Sequence, residues 1–272
     1  MSEKQEEDAL ASMSLLEHLT ELRNRIILVL VLFVVIFLAC FIRPFGSGTM
    51  NAADVVYFWL QAPLADILAE RGGRMIFTGL HEGFFTQVKV AFFISISISF
   101  PLMLLQVWRF VAPGLYRNEK TAFLPFLMAT PILFALGAAM VYFIVIPLAW
   151  DFFLSFEMSG TEGSLPIEVE PRISEYLSLV MRLMFAFGLS FELPVLLLLL
   201  VKAGLATPDG LAAKRKYAIL LAFVAAAILT PPDVISQVLL ALPVIALYEL
   251  SILAARLIAK RDRDAWDKAN EG

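Results

Sequence analysis

Six long apolar runs constrain this chain more than any other feature. They lie at about 26–42, 84–107, 122–143, 176–201, 217–229 and 234–253, the third extendable to Trp150. In hydrocarbon a backbone polar group meets no water, so each run must close its hydrogen bonds as a helix or within a closed barrel. Barrel strands alternate between lipid and lumen. These runs do not alternate, so each reads as a membrane-spanning helix. Composition agrees: 60% of the 272 residues are hydrophobic and the mean hydropathy is +0.81, where soluble domains lie nearer half apolar. The fold class is therefore an all-α membrane protein, with one polytopic membrane domain over 1–272 and six helices in a curved, kinked bundle. The curvature follows from Pro101, Pro125, Pro131, Pro147, Pro194 and Pro243, since each removes a backbone donor inside a span.

Orientation follows from the basic residues. With both termini on one side, that side holds Lys4, Arg23, Arg25, Arg109, Arg117, Lys120, Lys202, Lys214, Arg215, Lys216, Arg256, Lys260, Arg261, Arg263 and Lys268. The other side holds Arg43, Arg71, Arg74 and Arg172. This asymmetry predicts that both termini are cytoplasmic. Lys89 and Arg182 lie near span ends, where long stems can snorkel. The acidic start (Glu3, Glu6, Glu7, Asp8) is unlike a secretory leader, so the first span is expected to be kept. The net charge of −4 argues against a nucleic-acid partner.

Two segments depart from plain spans. The first outer loop carries "DVVYFWLQAPLADILAE", whose apolar stripe predicts a short amphipathic helix over 54–70, either lying at the outer interface or packed as a cap over the spans. The 217–229 run is only about 20 Å long as a helix, against a hydrocarbon core of about 30 Å. Local thinning, partner helices or shielding by the other spans would each relieve that mismatch. The turn "TPPD" joining this run to the last one reads as a cap, with Thr230 at N-cap and Asp233 at N3.

Enzyme chemistry is poorly represented. The chain has no HExxH, GxSxG or phosphate loop, no Ser–His pair or paired aspartates at membrane depth, and no His/Cys cluster for a metal. No cofactor is expected. The single cysteine, Cys40, excludes an intrachain disulfide.

Three acids stand out. Glu192 is the sole charge in "FAFGLSFELPVLLLLLV" (185–201). A charge at bilayer centre costs about 2.5–3.5 kcal/mol on insertion scales, so Glu192 is either a hydrogen-bonded structural group or a polar contact for a ligand, a partner helix or a proton. Gln237, near the outer end of its span, is too shallow to serve it directly. Glu119 ends the unusually apolar loop "QVWRFVAPGLYRNEK" (106–120), which contains Phe110; a solvated loop acid is the plainer reading. Glu21 lies in "SLLEHLTELRNRII" (14–27), one turn before Arg25, where a surface ion pair worth a few tenths of a kcal/mol is the plainer reading.

The segments "HLTELRNR" (18–25), "FPLMLLQVWRFVAPGLYRNEK" (100–120), "FAFGLSFELPV" (185–195) and "TPPDVISQVLLALPVIALYELS" (230–251) resemble the TatC family, the polytopic core of the twin-arginine protein translocase. The first outer loop and both tails match least. The resemblance implies a receptor for folded cargo bearing a twin-arginine signal peptide, in a bacterial plasma (inner) membrane. It implies no enzyme activity and a dependence on the proton-motive force. It assigns signal-peptide binding to Glu21, Arg23, Phe110 and Glu119. It assigns an intramembrane polar role to Glu192, and contact with partner helices to Thr230, Asp233 and Gln237. The implied partners are single-span TatA- and TatB-type subunits, further copies of the chain itself, and membrane lipid. Two other readings start from the same residues: a proton-coupled small-molecule transporter using Glu192, or a scaffold for single-span helices. No convincing internal repeat supports the transporter.

Overall fold

The computed structural model describes residues 3–43, 49–70, 72–111, 120–157, 170–229 and 234–270. Among these described residues ten α-helices follow in order: α1 (Glu3–Ala39), α2 (Ala52–Glu70), α3 (Glu82–Val111), α4 (Lys120–Met140), α5 (Ile146–Leu154), α6 (Ile173–Phe191), α7 (Leu193–Lys202), α8 (Pro208–Ala213), α9 (Arg215–Leu229) and α10 (Val234–Asn270). One isolated strand-like bridge pairs Ile76 with Arg172 and joins the loops entering α3 and α6. Among the described residues six stretches are long and apolar enough to cross a membrane: Leu19–Ala39, Ala52–Glu70, Glu82–Val107, Met128–Leu154, Ile173–Lys202 and Gln237–Arg261. By length alone α2 qualifies and α9, with 15 residues, does not.

The prolines act unequally. Helix runs unbroken past Pro101 and Pro243 and past Pro125 and Pro131. At Pro147 the missing N–H leaves a carbonyl without its donor one turn back, and the chain inserts one π-helical turn, Val141–Val145, closed by Ile146 N–H on Val141 O. At Pro194 the helix breaks, and Glu192 both ends α6 and starts α7.

The helices pack in pairs: α1 along α3, α4 along α6, and α10 along α9 and α7. The α4–α6 pair is close because both helices offer glycine at the crossing. A Cβ on Gly137 would lie 2.5 Å from the Phe187 carbonyl oxygen, and one on Gly188 would lie 2.7 Å from the Phe134 ring. Small residues let backbones approach where lipid supplies no hydrophobic drive. Next to this crossing, Phe100, Phe134 and Phe185 join α3, α4 and α6 in a triangle of rings with centroids 5.2–5.8 Å apart.

Helix α2 lies against the ends of α3 and α6 and against the π-helical turn. An Asn51–Asp54 capping box starts it, with Asp54 N–H donating to Asn51 Oδ1 at 2.8 Å and Asn51 N–H to Asp54 Oδ2 at 3.2 Å. Gly72, at φ +71°, ends it: Gly73 N–H reaches Leu68 O at 2.9 Å in a left-handed cap. Leu60, Leu64 and Leu68 are buried beneath it, while Val55, Phe58 and Trp59 face outward. Tyr142 and Tyr176 donate to the Trp59 and Leu60 carbonyls at 2.8 and 2.9 Å. The helix expected over 54–70 is thus present, packed on the bundle with an apolar outer face.

Candidate functional site

Three of the regions singled out from the sequence can be followed into the structure. At the first, α1 packing on α3 brings Glu21 beside the final turns of α3. Arg25 makes the junction. Its Nη2 and Nε donate to Glu21 Oε1 at 2.6 and 3.1 Å, and its Nη1 donates across to Gln106 Oε1 at 2.8 Å. The surface ion pair expected from the i,i+4 spacing is therefore real, and it is also an inter-helix clamp. Glu21 remains about half exposed, at 47%. Arg23 is exposed and donates to Asn24 Oδ1 at 3.4 Å. Phe110 stands on α3 one turn beyond Gln106. Glu119 lies outside the described residues.

At the second, Glu192 sits at the α6–α7 break and is 6% exposed. The break has a local cause. Pro194 cannot donate to the Ser190 carbonyl; Glu192 N–H turns back to Leu189 O at 3.1 Å, and Leu196 N–H resumes the helix on Glu192 O at 2.9 Å. The side chain opens onto a cavity of about 450 Å³ that is otherwise almost wholly apolar, bounded by Leu104 of α3, Leu189, Leu196, Leu221 and Ala225 of α9, and Val244 and Tyr248 of α10. The buried Thr130 hydroxyl of α4 is close enough to interact with Glu192. Neither carboxylate oxygen receives a well-directed hydrogen bond from the described residues. A buried carboxyl left in this state carries a desolvation cost that a polar group entering the cavity would relieve.

At the third, Gln237 donates to the Phe223 carbonyl at 3.1 Å, tying α10 to α9. It does not line the Glu192 cavity. Thr230 and Asp233 lie outside the described residues.

Two polar arrangements had not been foreseen. Glu82, at the start of α3 and 8% exposed, accepts from Thr78 N–H and Gly79 N–H at 2.8 and 3.0 Å. The Ser174 hydroxyl also donates to it, linking α3 to α6, and Arg172 lies 3.8 Å away. The pattern Thr-Gly-x-x-Glu ahead of an apolar run was the available signal. The second is a two-pronged ion pair, in which Arg215 Nε and Nη2 donate to Glu249 Oε1 and Oε2 at 2.6 and 2.8 Å. It holds the α9–α10 hairpin at the end opposite Gln237, and the carboxylate keeps the Arg215 pKa above its ordinary value. Among the described residues no group of three or more His, Cys, Asp or Glu side chains is placed to hold a metal ion.

These features define a multi-pass helical membrane protein with polar sites at a helix junction and at a broken span. Comparison narrows the class. A family model described as Sec-independent protein translocase protein (TatC) matches residues 17–243. The TatC protein of Magnetococcus marinus is 47% identical over 257 residues, covering 94% of this chain and 89% of its own. That of Escherichia coli K12 is 39% identical over 250 residues, covering 92% and 91%. A crystal structure of the twin-arginine translocase receptor TatC superposes with a TM-score of 0.72 at 38% identity, covering 88% of this chain and 98% of that one. The chain belongs to the TatC family and is a translocase component rather than an enzyme. The transporter and scaffold readings are not favoured by these matches.

Proposed function

We propose that this chain is the signal-peptide receptor and polytopic core of a twin-arginine translocase, exporting folded proteins across a bacterial inner membrane at the expense of the proton-motive force. Both termini face the cytoplasm, as the basic residues indicate. In this arrangement α2 lies on the outer surface and α9, despite its length, crosses with α10 as a short hairpin. The arginine pair of the signal is held by Glu21 and Glu119, with Arg23 and Phe110 also assigned to signal binding. A guanidinium forms a planar, bidentate, charge-assisted pair with a carboxylate that lysine cannot copy.

The observation that carries this reading is the Arg25 junction. A guanidinium already rests on Glu21 at 2.6 Å, next to the end of α3. The site thus accommodates the group the signal would bring, and Glu119 follows α3 in the sequence. The Glu192 cavity would take an apolar helix carrying a polar group, from the signal or from a TatA- or TatB-type subunit. Thr230, Asp233 and Gln237 would receive a second such helix at the α9–α10 turn. Further copies of the chain complete the receptor.

The test is binding of a labelled Arg-Arg signal peptide to the purified chain, with a Lys-Lys peptide as control. Tighter Arg-Arg binding, lost in Glu21→Ala and in Glu119→Ala, is expected. Equal binding of the two peptides, or unchanged binding by both variants, would remove these acids from the site.

A further inference from the structure

Lys89 and Arg182 play no part in the sites above, and their placement asks for an anion. Lys89 is on α3, seven residues below Glu82; Arg182 is on α6, nine below Ile173. At about 1.5 Å per residue both stand about 10–14 Å inside their helices, within the stretches apolar enough to span a membrane. Both side chains are exposed, so in a bilayer they face lipid. They belong to one groove. Lys89 Nζ donates to Ser178 Oγ across the α3–α6 interface at 3.2 Å. Ser178 is four residues before Arg182, hence a neighbour on the same helix face, about 5–6 Å away between Cβ atoms. The groove, of about 450 Å³, continues as an apolar trough along Phe92, Phe93, Ile96 and Phe185.

No carboxylate lines this groove, and neither cation has an ion pair among the described residues. The acids next above on the same helices are engaged elsewhere: Glu82 by Thr78, Gly79 and Ser174, and Glu175 by Arg172 at 2.7 Å. A lone cation snorkels to the interface at modest cost. Two cations lining one groove with no carboxylate carry like charge there, and an anion seated between them offsets it.

We infer that the α3–α6 groove is a binding site for an anionic phospholipid of the leaflet on the α2 side, with Lys89 and Arg182 holding the phosphate, Ser178 assisting, and an acyl chain lying along Phe92, Phe93, Ile96 and Phe185. Two positive charges prefer a headgroup that adds no amine, such as phosphatidylglycerol, over the zwitterionic phosphatidylethanolamine. The depth also fits. The long stems reach back to the phosphate level while the aromatic trough lies at acyl-chain depth.

The test has two arms, both on the full-length chain. In native mass spectrometry of the detergent-purified protein, the wild type should retain phosphatidylglycerol at least tenfold better than phosphatidylethanolamine. The double variant Lys89→Gln/Arg182→Gln should lose that preference, and the charge-preserving Lys89→Arg/Arg182→Lys should keep it. Equal retention by the wild type and the glutamine variant would overturn the assignment. The second arm needs no charge change: a photoreactive benzophenone side chain at position 96 is irradiated in native membranes. A phospholipid adduct is expected, whereas a protein adduct would make the groove a helix-docking surface and sink the lipid reading.

Discussion

Arg25 of α1 donates to Gln106 of α3 at 2.8 Å while its other nitrogens hold Glu21. The guanidinium is therefore both a strut between helices and an occupant of the acid proposed to receive the signal. These two roles predict opposite effects. Hydrogen bonds to charged groups are worth about 1.5–3 kcal/mol, so Glu21→Gln should weaken Arg-Arg peptide binding by roughly ten- to a hundredfold. Arg25→Gln removes the competing guanidinium from Glu21 and should tighten binding, as measured by fluorescence anisotropy. Weaker binding by Arg25→Gln would mean that the strut matters more than the competition.

Glu192 has a buried carboxyl with no well-directed partner. An apolar side chain of similar size at this position removes the desolvation cost of the poorly partnered carboxyl. Glu192→Leu should therefore unfold in detergent at the same temperature as the wild type or a higher one, while export of a twin-arginine reporter falls. A lower melting temperature would show that Glu192 serves the fold. Glu192→Gln, which keeps the shape, then separates charge from polarity in the export assay; retained export would show that ionisation there is not required.

Gly137 and Gly188 test the α4–α6 crossing. The atom nearest an added Cβ at Gly137 is a backbone carbonyl oxygen, which cannot swing away as a side chain can. Gly137→Ala should cost about 1–3 kcal/mol by overpacking. Gly83→Ala, whose Cβ would meet only the Phe77 ring at 3.7 Å, is the matched control and should be near neutral. Equal thermal midpoints for the two variants would rule out the close approach.

Tyr142 and Tyr176 pin α2 through separate carbonyls, those of Trp59 and Leu60. Tyr142→Phe and Tyr176→Phe should each cost about 1 kcal/mol. The double variant should expose α2 to added protease faster than either single variant while leaving the rest of the bundle protected. Uniform digestion of the whole chain would contradict a locally held cap.

How much of this was readable in advance depends on the range of the interaction. The apolar runs dictated helices, because hydrocarbon offers a backbone no other partner, and the Glu21–Arg25 pair and the helix over 54–70 follow from spacing along one helix. Glu192 was conspicuous as an acid in an apolar run, and the twin-arginine assignments came with the family resemblance. Beyond that, contacts between distant segments decided. Proline content alone did not say that Pro147 would produce a π-helical turn and Pro194 a break, while helix continues past Pro101 and Pro243. Nor did it say that the Glu192 break would open onto a cavity shared with α3, α9 and α10. Lys89 and Arg182 read separately as two snorkelling cations 93 positions apart; only the register of α3 against α6, marked by the Lys89–Ser178 bond, puts them in one groove. Periodicity records which face of a helix is apolar, whereas the rotation and depth of one helix against another are set by side-chain packing between segments far apart in the chain.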